Sequence, residues 1–201
     1  MPVGFNHIDI VGEKVRLRPI RAADAEAAYS LVKNEVVLAT LAWDGPTDQE
    51  KLLNSYRQWE GEMKAGVKYH FAIEQIDQPG LIGCIDIRFP GYPLQVDIGY
   101  WLGEPFWNRG YMTDAIRLVC YFSFKYLDAA RVSATVFVGN IGSRRALEKN
   151  GFSLDGTLRS HVYKRSKWLD GWFFTLLHTE WEPNREKFYP RHEDIVTARN
   201  E

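Results

Sequence analysis

The sequence predicts one α/β (α+β) domain, a mixed and mostly antiparallel central sheet with helices on both faces. Three observations predict it. Alternating apolar and polar residues recur in short stretches joined by polar turns, as in "VKYHFAIEQIDQPGLIGCIDIRF". Segments with a three-to-four-residue apolar period separate those stretches. A strand–helix–strand passage over residues 95–137 demands one parallel pair, because a crossover helix returns the chain in the same direction.

Each element carries its own signal. "KVRLRPI" alternates between Gly12 and Pro19 and reads as a first strand. Asp24 has the chemistry of an N-cap for the helix formers Ala25 to Val32. After a turn at Asp44 to Pro46, Thr47 and Glu50 have capping-box spacing, and Leu52, Leu53, Tyr56, Trp59 and Met63 repeat at helical intervals. A hairpin follows, with "DQPG" as its turn, and "LQVDIGYWL" supplies the next strand. Three successive antiparallel strands are therefore expected.

The character changes after Leu102. "GEPFWNRGYMT" reads as a loop, and from Asp114 a helix is marked by Ala115, Ile116, Val119, Cys120, Ser123, Tyr126 and Leu127. "RVSATVFV" is a β-branched strand. Asn140 opens a further helix, "IGSRRALEKN", which Gly151 ends. "GFSLDGTLRSHVYKRS" and "GWFFTLLHTEW" supply the last strands. Residues 182–201 show no strong period and read as a tail, so the core of a single domain spanning 1–201 is expected over about 14–181.

Composition bounds the function. A chain of 201 residues supports one substantial core and is short for two. With 25 basic and 26 acidic residues, a dominant nucleic-acid surface is not suggested. Cys84 and Cys120 read as buried thiols rather than a disulfide framework. No apolar run reaches membrane-spanning length, and the first residues lack an export signal, so a cytoplasmic protein is expected. The five histidines include no H-x-x-x-H pair, and no cysteine pair has metal-ligand spacing, so no metal is expected.

The segment Trp107–Asn108–Arg109–Gly110–Tyr111–Met112–Thr113 joins a strand to a helix. A helix start offers unpaired backbone N–H groups and partial positive charge, which suit a diphosphate. Gly110 permits close approach, Arg109 adds charge and Thr113 a hydroxyl. An ordinary strand-to-helix connection is the plainer account of the same residues. Neither G-x-G-x-x-G nor a Walker loop occurs.

Read together, "DIGYWLGEPFWNRGYMTDAIRLVCYFSFKYL" and "RVSATVFVGNIGSRRALEKNGFSLDGTLR" resemble the GCN5-related N-acetyltransferase (GNAT) superfamily, and within it the branch that acetylates ribosomal-protein N-termini. The likeness runs from Asp97 to Arg159 in its motifs and from about Lys14 to Trp181 in the order of elements. "HTEW" at 178–181 resembles that branch's closing strand. The resemblance implies that Trp107 to Thr113 grip the pyrophosphate of acetyl-coenzyme A. It implies that the strand ending in Trp101 and Leu102 splays from its parallel neighbour and receives the pantetheine arm. Asn140 would touch that arm, Ser143 would lie near the thioester sulfur, and Arg145 would hold the cofactor end of the helix. Trp107 and Met112 depart from the wider superfamily's loop but suit the branch. Leu147 stands where many relatives carry a tyrosine acid and cannot donate a proton.

The implied reaction is direct attack of an amine on the thioester. The amine must lose a proton, the oxyanion needs a donor and the departing thiolate needs a hydroxyl. Ser143 is the candidate for the thiolate. Asp97, acting through water, is the candidate base, and Glu104 the candidate for attracting a cationic amine. Each of the two carboxylates could equally be a solvated surface group. His161, on a late strand, could face the cleft as a second base or simply pack there. Trp43 and its neighbours could roof the acceptor cleft. The basic stretch "LRSHVYKRSKWLDG" reads as an exposed hairpin before an RNA contact. The acceptor is first a protein N-terminal amine. A small amine, such as a polyamine, aminoglycoside or amino-acid-like compound, and a non-catalytic acyl-coenzyme-A-binding module are the alternatives. Adjacent Phe173 and Phe174 suggest a homodimer, since one strand cannot turn both toward one core.

Overall fold

In chain order the strands and helices are β1 (Phe5–Ile8), β2 (Ile10–Val11), β3 (Val15–Pro19), α1 (Ala25–Val32), α2 (Glu35–Leu38), α3 (Gln49–Lys64), β4 (Tyr69–Gln75), β5 (Leu81–Arg88), β6 (Gln95–Leu102), α4 (Tyr111–Tyr126), β7 (Arg131–Phe137), α5 (Ile141–Lys149), β8 (Ser153–Lys164), β9 (Lys167–Leu177), α6 (His178–Trp181) and β10 (Val196–Arg199). The computed structural model describes residues 5–190 and 196–199. Eight strands form one sheet in the order β2-β3-β4-β5-β6-β7-β9-β8, and β1 pairs with β10 in a separate ribbon. Among the described residues no helix is long and apolar enough to cross a membrane.

Alternation decides which residues enter which core. Tyr69, Phe71 and Ile73 of β4 face the α4 side of the sheet, and Ala72 faces the other. On the first side α4 buries Ile116, Val119, Cys120 and Phe122. The Phe122 ring meets Tyr69 and Phe71 edge-on. On the second side Ala28, Val32, Leu52 and Tyr56 from α1 and α3 pack over Ala72 and Leu81. The mixed sheet with helices on both faces is thus as the sequence predicts.

All neighbouring strands pair antiparallel except β6 and β7. Those two are parallel only through Gln95–Arg131, Val96–Val132 and Asp97–Ser133. Beyond that point β6 stays paired with β5 as far as Leu102, and β7 stays paired with β9 as far as Phe137. The two strands therefore part, and one edge of β6 from Ile98 onward has no strand beside it.

Several local expectations are corrected. Asp24 does not cap α1 with its side chain. Its carboxylate accepts from the Arg21 amide and from both terminal nitrogens of Arg18, whose Nε donates to Glu74 at 2.9 Å. Burial of the Arg18 guanidinium makes those partners more valuable than a cap. The α3 cap is Asp48, which accepts from Lys51 N, so the Thr47–Glu50 box does not form. An additional single turn, α2, follows Asn34, whose side chain accepts from Val36 N. "HTEW" is a helical turn and not a strand. Of the expected tail, Phe188 is buried in the core and Val196–Arg199 pair with β1; residues 191–195 and 200–201 lie outside the described residues. Phe174 is buried, and the Arg131 guanidinium lies 5.9 Å from the centroid of the partly buried Phe173 ring.

The start of α4 is fixed to β3 by one carboxylate. Buried Asp114 accepts from Lys14 N at 2.7 Å and Val15 N at 3.1 Å, and pairs with Arg117 at 2.7 Å. Lys14 in turn donates from Nζ to the Arg109 carbonyl at 3.0 Å. Asp114→Ala leaves two backbone amides and a guanidinium without their acceptor, so a loss of about 3 kcal/mol is expected. Chemical denaturation reads it; a loss below about 0.5 kcal/mol, the range of ordinary surface changes, would show that the brace is dispensable.

Candidate active site

Where β6 and β7 part, the starts of two helices converge. The first intrahelical bond of α4 runs from Asp114 N to Gly110 O. The amides of Tyr111, Met112 and Thr113 therefore precede the helical ladder, and no side chain caps this end. Gly110 has φ 82°, a left-handed conformation open to glycine at little cost. It turns the chain so that the amides face outward together. Asn108 also has positive φ, at 60°, which asparagine tolerates better than most residues. The α5 start lies opposite. There Asn140 caps the helix by accepting from Ser143 N at 3.1 Å.

These elements enclose a cavity of about 860 Å³ that passes along the gap between β6 and β7. Of the residues singled out from sequence, Trp101, Leu102, Trp107, Asn108, Gly110, Tyr111, Met112, Thr113, Asn140, Ser143 and Arg145 line it. Asp97, Glu104 and Arg109 do not. Asp97 forms an ion pair with Arg88 at 2.7 Å and accepts from Ser133 Oγ at 3.2 Å. Burial pushes its pKa up, and the Arg88 guanidinium opposes that rise. Glu104 accepts from Asn34 Nδ2 at 2.6 Å on the exposed surface. Arg109 meets Lys14 through its carbonyl. The Trp107 indole donates to Leu102 O at 2.7 Å, closing the loop onto the end of β6.

Ser143 has a partner that the sequence reading missed. The Tyr100 hydroxyl lies 2.7 Å from Ser143 Oγ. Burial raises the phenol's pKa strongly, and the bond to Ser143 pulls it back. The available signal was parity: Tyr100 shares a strand face with Ile98 and Leu102, which both pack toward α4. Asp97 has the opposite parity. Ser143 and Asp97 therefore belong to opposite sides of the sheet.

The far end of the cavity is walled by Ala39, Thr40 and Ala42 after α2, by Thr135 of β7, and by His161 and Val162 of β8. Trp43 is not in this wall, although Ala42 before it is. His161 lies across Gly171, where an added Cβ would stand 2.7 Å from Thr135 and 3.1 Å from the imidazole. Glycine at that position is what lets the ring reach the cavity. Neither cysteine is poised for covalent chemistry. Burial pushes Cys84 up to about 12 and raises Cys120 as well.

The geometry fits a diphosphate at the α4 start, an extended chain along the open edge of β6, and a reacting group near Ser143. Comparison with known proteins gives the same direction. A family model described as an acetyltransferase (GNAT) domain matches residues 14–153. "Probable N-acetyltransferase YjcK" of Bacillus subtilis is 29% identical over 178 residues, covering 84% of this chain and 97% of that protein. A structure of RimL, a ribosomal L7/L12 alpha-N-protein acetyltransferase, in complex with coenzyme A superposes with a TM-score of 0.77 at 22% identity, covering 86% of this chain and 99% of that one. The spermidine N-acetyltransferase of Vibrio cholerae, in complex with coenzyme A and spermine, gives 0.73 at 16% identity, covering 84% and 98%. At these identities the two structures speak to the fold alone. Because the family model spans well over half of the residues, the chain belongs to the GNAT acetyltransferase family and is an N-acetyltransferase of that type.

Proposed function

We propose that this enzyme moves an acetyl group from acetyl-coenzyme A to the free N-terminal amine of a protein. The observation that carries this choice of acceptor is the chemistry of the cavity wall. Among its described residues there is no aspartate or glutamate; its charged side chains are Arg145 and Lys149 on α5. A polyamine carries several positive charges that carboxylates must meet. A peptide N-terminus brings one amine and a backbone that hydroxyls such as Thr40 and Thr135 can bind. RimL and the spermidine enzyme share this fold and are named for the two rival acceptors, so the wall chemistry carries the choice.

The donor fits from the α4 side. The amides of Tyr111, Met112 and Thr113 would hold the pyrophosphate, with Gly110 and Asn108 shaping the turn and Trp107 fastening it. Arg145 adds positive charge at the α5 start. Arg109 contributes through its backbone, braced by Lys14. The pantetheine arm would lie along Ile98 to Leu102, beside Asn140. Bound there, acetyl-coenzyme A supplies an activated thioester carbonyl.

The residues around that carbonyl divide the work. An amide on the open edge of β6 is the donor for the developing oxyanion. Ser143 donates to the departing sulfur, and Tyr100 orients Ser143 and can replace its proton through the 2.7 Å contact. This arrangement fills the place left by Leu147. On the acceptor side His161 takes the amine proton directly, since its ring reaches the wall. Asp97 acts at longer range through water, and Glu104 is left to hold Asn34.

Three outcomes are expected. With acetyl-coenzyme A and a panel of amines, thiol release is fastest with peptides bearing a free N-terminus and is lost when that terminus is blocked. Faster turnover of spermidine than of every peptide would replace the acceptor assignment, and no turnover of any amine would end it. Tyr100→Phe and Ser143→Ala each lower kcat by about tenfold or more, the value of one hydrogen bond to a charged group, with acetyl-coenzyme A affinity kept. Their double variant should lose little beyond the worse single one, because the two hydroxyls act as a unit. His161→Ala lowers kcat/KM by about 100-fold, as removal of a general base does, while Asp97→Asn costs less. The reverse order would return the base to Asp97.

A further inference from the structure

The hairpin of β8 and β9 reaches back over the acceptor end of the cavity, and its turn carries two side chains that hold α2 and the segment after it. Lys164 is buried. Its Nζ donates to the carbonyls of Leu38 at 2.6 Å, Leu41 at 2.7 Å and Trp43 at 3.0 Å. An ammonium has three protons, so every one is used on backbone. Arg165 follows and holds the outside of the same segment. It donates from Nη1 to Glu35 at 2.8 Å and lies 3.5 Å from Asp44 through Nε. Arg165 and Ser166 take φ 47° and 63°, the left-handed pair of a tight hairpin turn. That turn sets the two cations on the segment.

The pattern of contacts alternates along the chain. The carbonyls of Leu38, Leu41 and Trp43 go to Lys164, whereas Ala39, Thr40 and Ala42 line the cavity. His161 and Val162, which form the facing wall, lie only two or three residues before Lys164. One ammonium therefore fixes the distance between the two walls of the mouth. It touches neither the α4 start nor the α5 start.

We propose that Lys164, supported by Arg165, is the positioning residue that sets the width of the acceptor mouth and hence which amines reach His161. The proposal rests on the acetyl-transfer reading of the cavity, but not on the acceptor being a protein N-terminus. A lysine that only stabilised the fold would affect donor and acceptor alike, or affect neither in the folded enzyme. A lysine that spaces the mouth affects the acceptor alone.

The test uses the full chain and the amine that the wild-type enzyme acetylates fastest, whatever its class. Lys164→Met keeps an unbranched side chain one atom shorter and removes its three donors. The expected result is a rise of about tenfold in KM for the amine, with kcat within about threefold and the acetyl-coenzyme A Kd unchanged by calorimetry. Discrimination between a small and a bulky acceptor of the same class should shrink as well. An amine KM within about twofold of wild type in the folded variant would overturn the proposal, as would an equal loss of acetyl-coenzyme A affinity. Arg165→Ala changes an exposed side chain and keeps the test decisive where Lys164→Met does not fold. It should raise the amine KM by about threefold with the donor Kd unchanged, and an unchanged amine KM would then overturn the proposal.

Discussion

The structure depends on a parallel strand pair that is abandoned early. β6 and β7 share only the three residue pairs ending at Asp97 and Ser133. Each strand is then held by its outer neighbour, β5 or β9, so the sheet opens without falling apart. An opened edge leaves backbone donors and acceptors that must find a partner. A ligand with an extended, amide-bearing arm supplies such partners. The gap would be a liability in a purely structural sheet. In this protein the starts of α4 and α5 face it, which turns it into a binding cleft.

A sheet with a slot separates two chemical spaces. Strand parity assigns Tyr100 to the α4 side and Asp97 to the side of α1 and α3. Ser143 joins Tyr100 through their hydroxyl contact. His161 reaches the far wall over Gly171. A thioester and an amine approaching from opposite sides meet only at the slot. In the proposed mechanism this arrangement would keep the hydroxyl pair that serves the sulfur apart from the imidazole that serves the amine. Neither can then neutralise the other before reaction.

Much of this was legible in the sequence because the governing signals are local. Alternation located β4, β5 and β6, the crossover passage required the parallel pair, and the loop before α4 announced a helix start. The partners of Asp97 were not legible, for a reason that local signals cannot cover. Its neighbours Arg88 and Ser133 stand opposite it only once the β5–β6 and β6–β7 registers are set. The same holds for Asp24, whose local role as a cap yields to a buried arginine from the preceding strand. Tyr100 was hidden for a different reason. Its partner Ser143 stands 43 positions further along the chain, and only the fold brings the two hydroxyls together. The hairpin tip looked like a solvated basic stretch because its partners, residues 35–44, lie far away along the chain.

Both ends of the cleft are secured by the same physical device with opposite sign. At the donor end the Asp114 carboxylate accepts from two amides at the start of β3. At the acceptor end the Lys164 ammonium donates to the last carbonyl of α2 and to two beyond it. The ammonium is satisfied by main chain, and the carboxylate divides its two oxygens between main-chain amides and the Arg117 guanidinium, so each rim is tied by strong, short-range and directional bonds. Two consequences follow. The loops keep their shape while the residues lining the cavity remain free to differ, so donor binding and acceptor choice can be tuned separately. Both rims are also tied by bonds made within the chain, which would leave binding energy available for orienting the amine against the thioester.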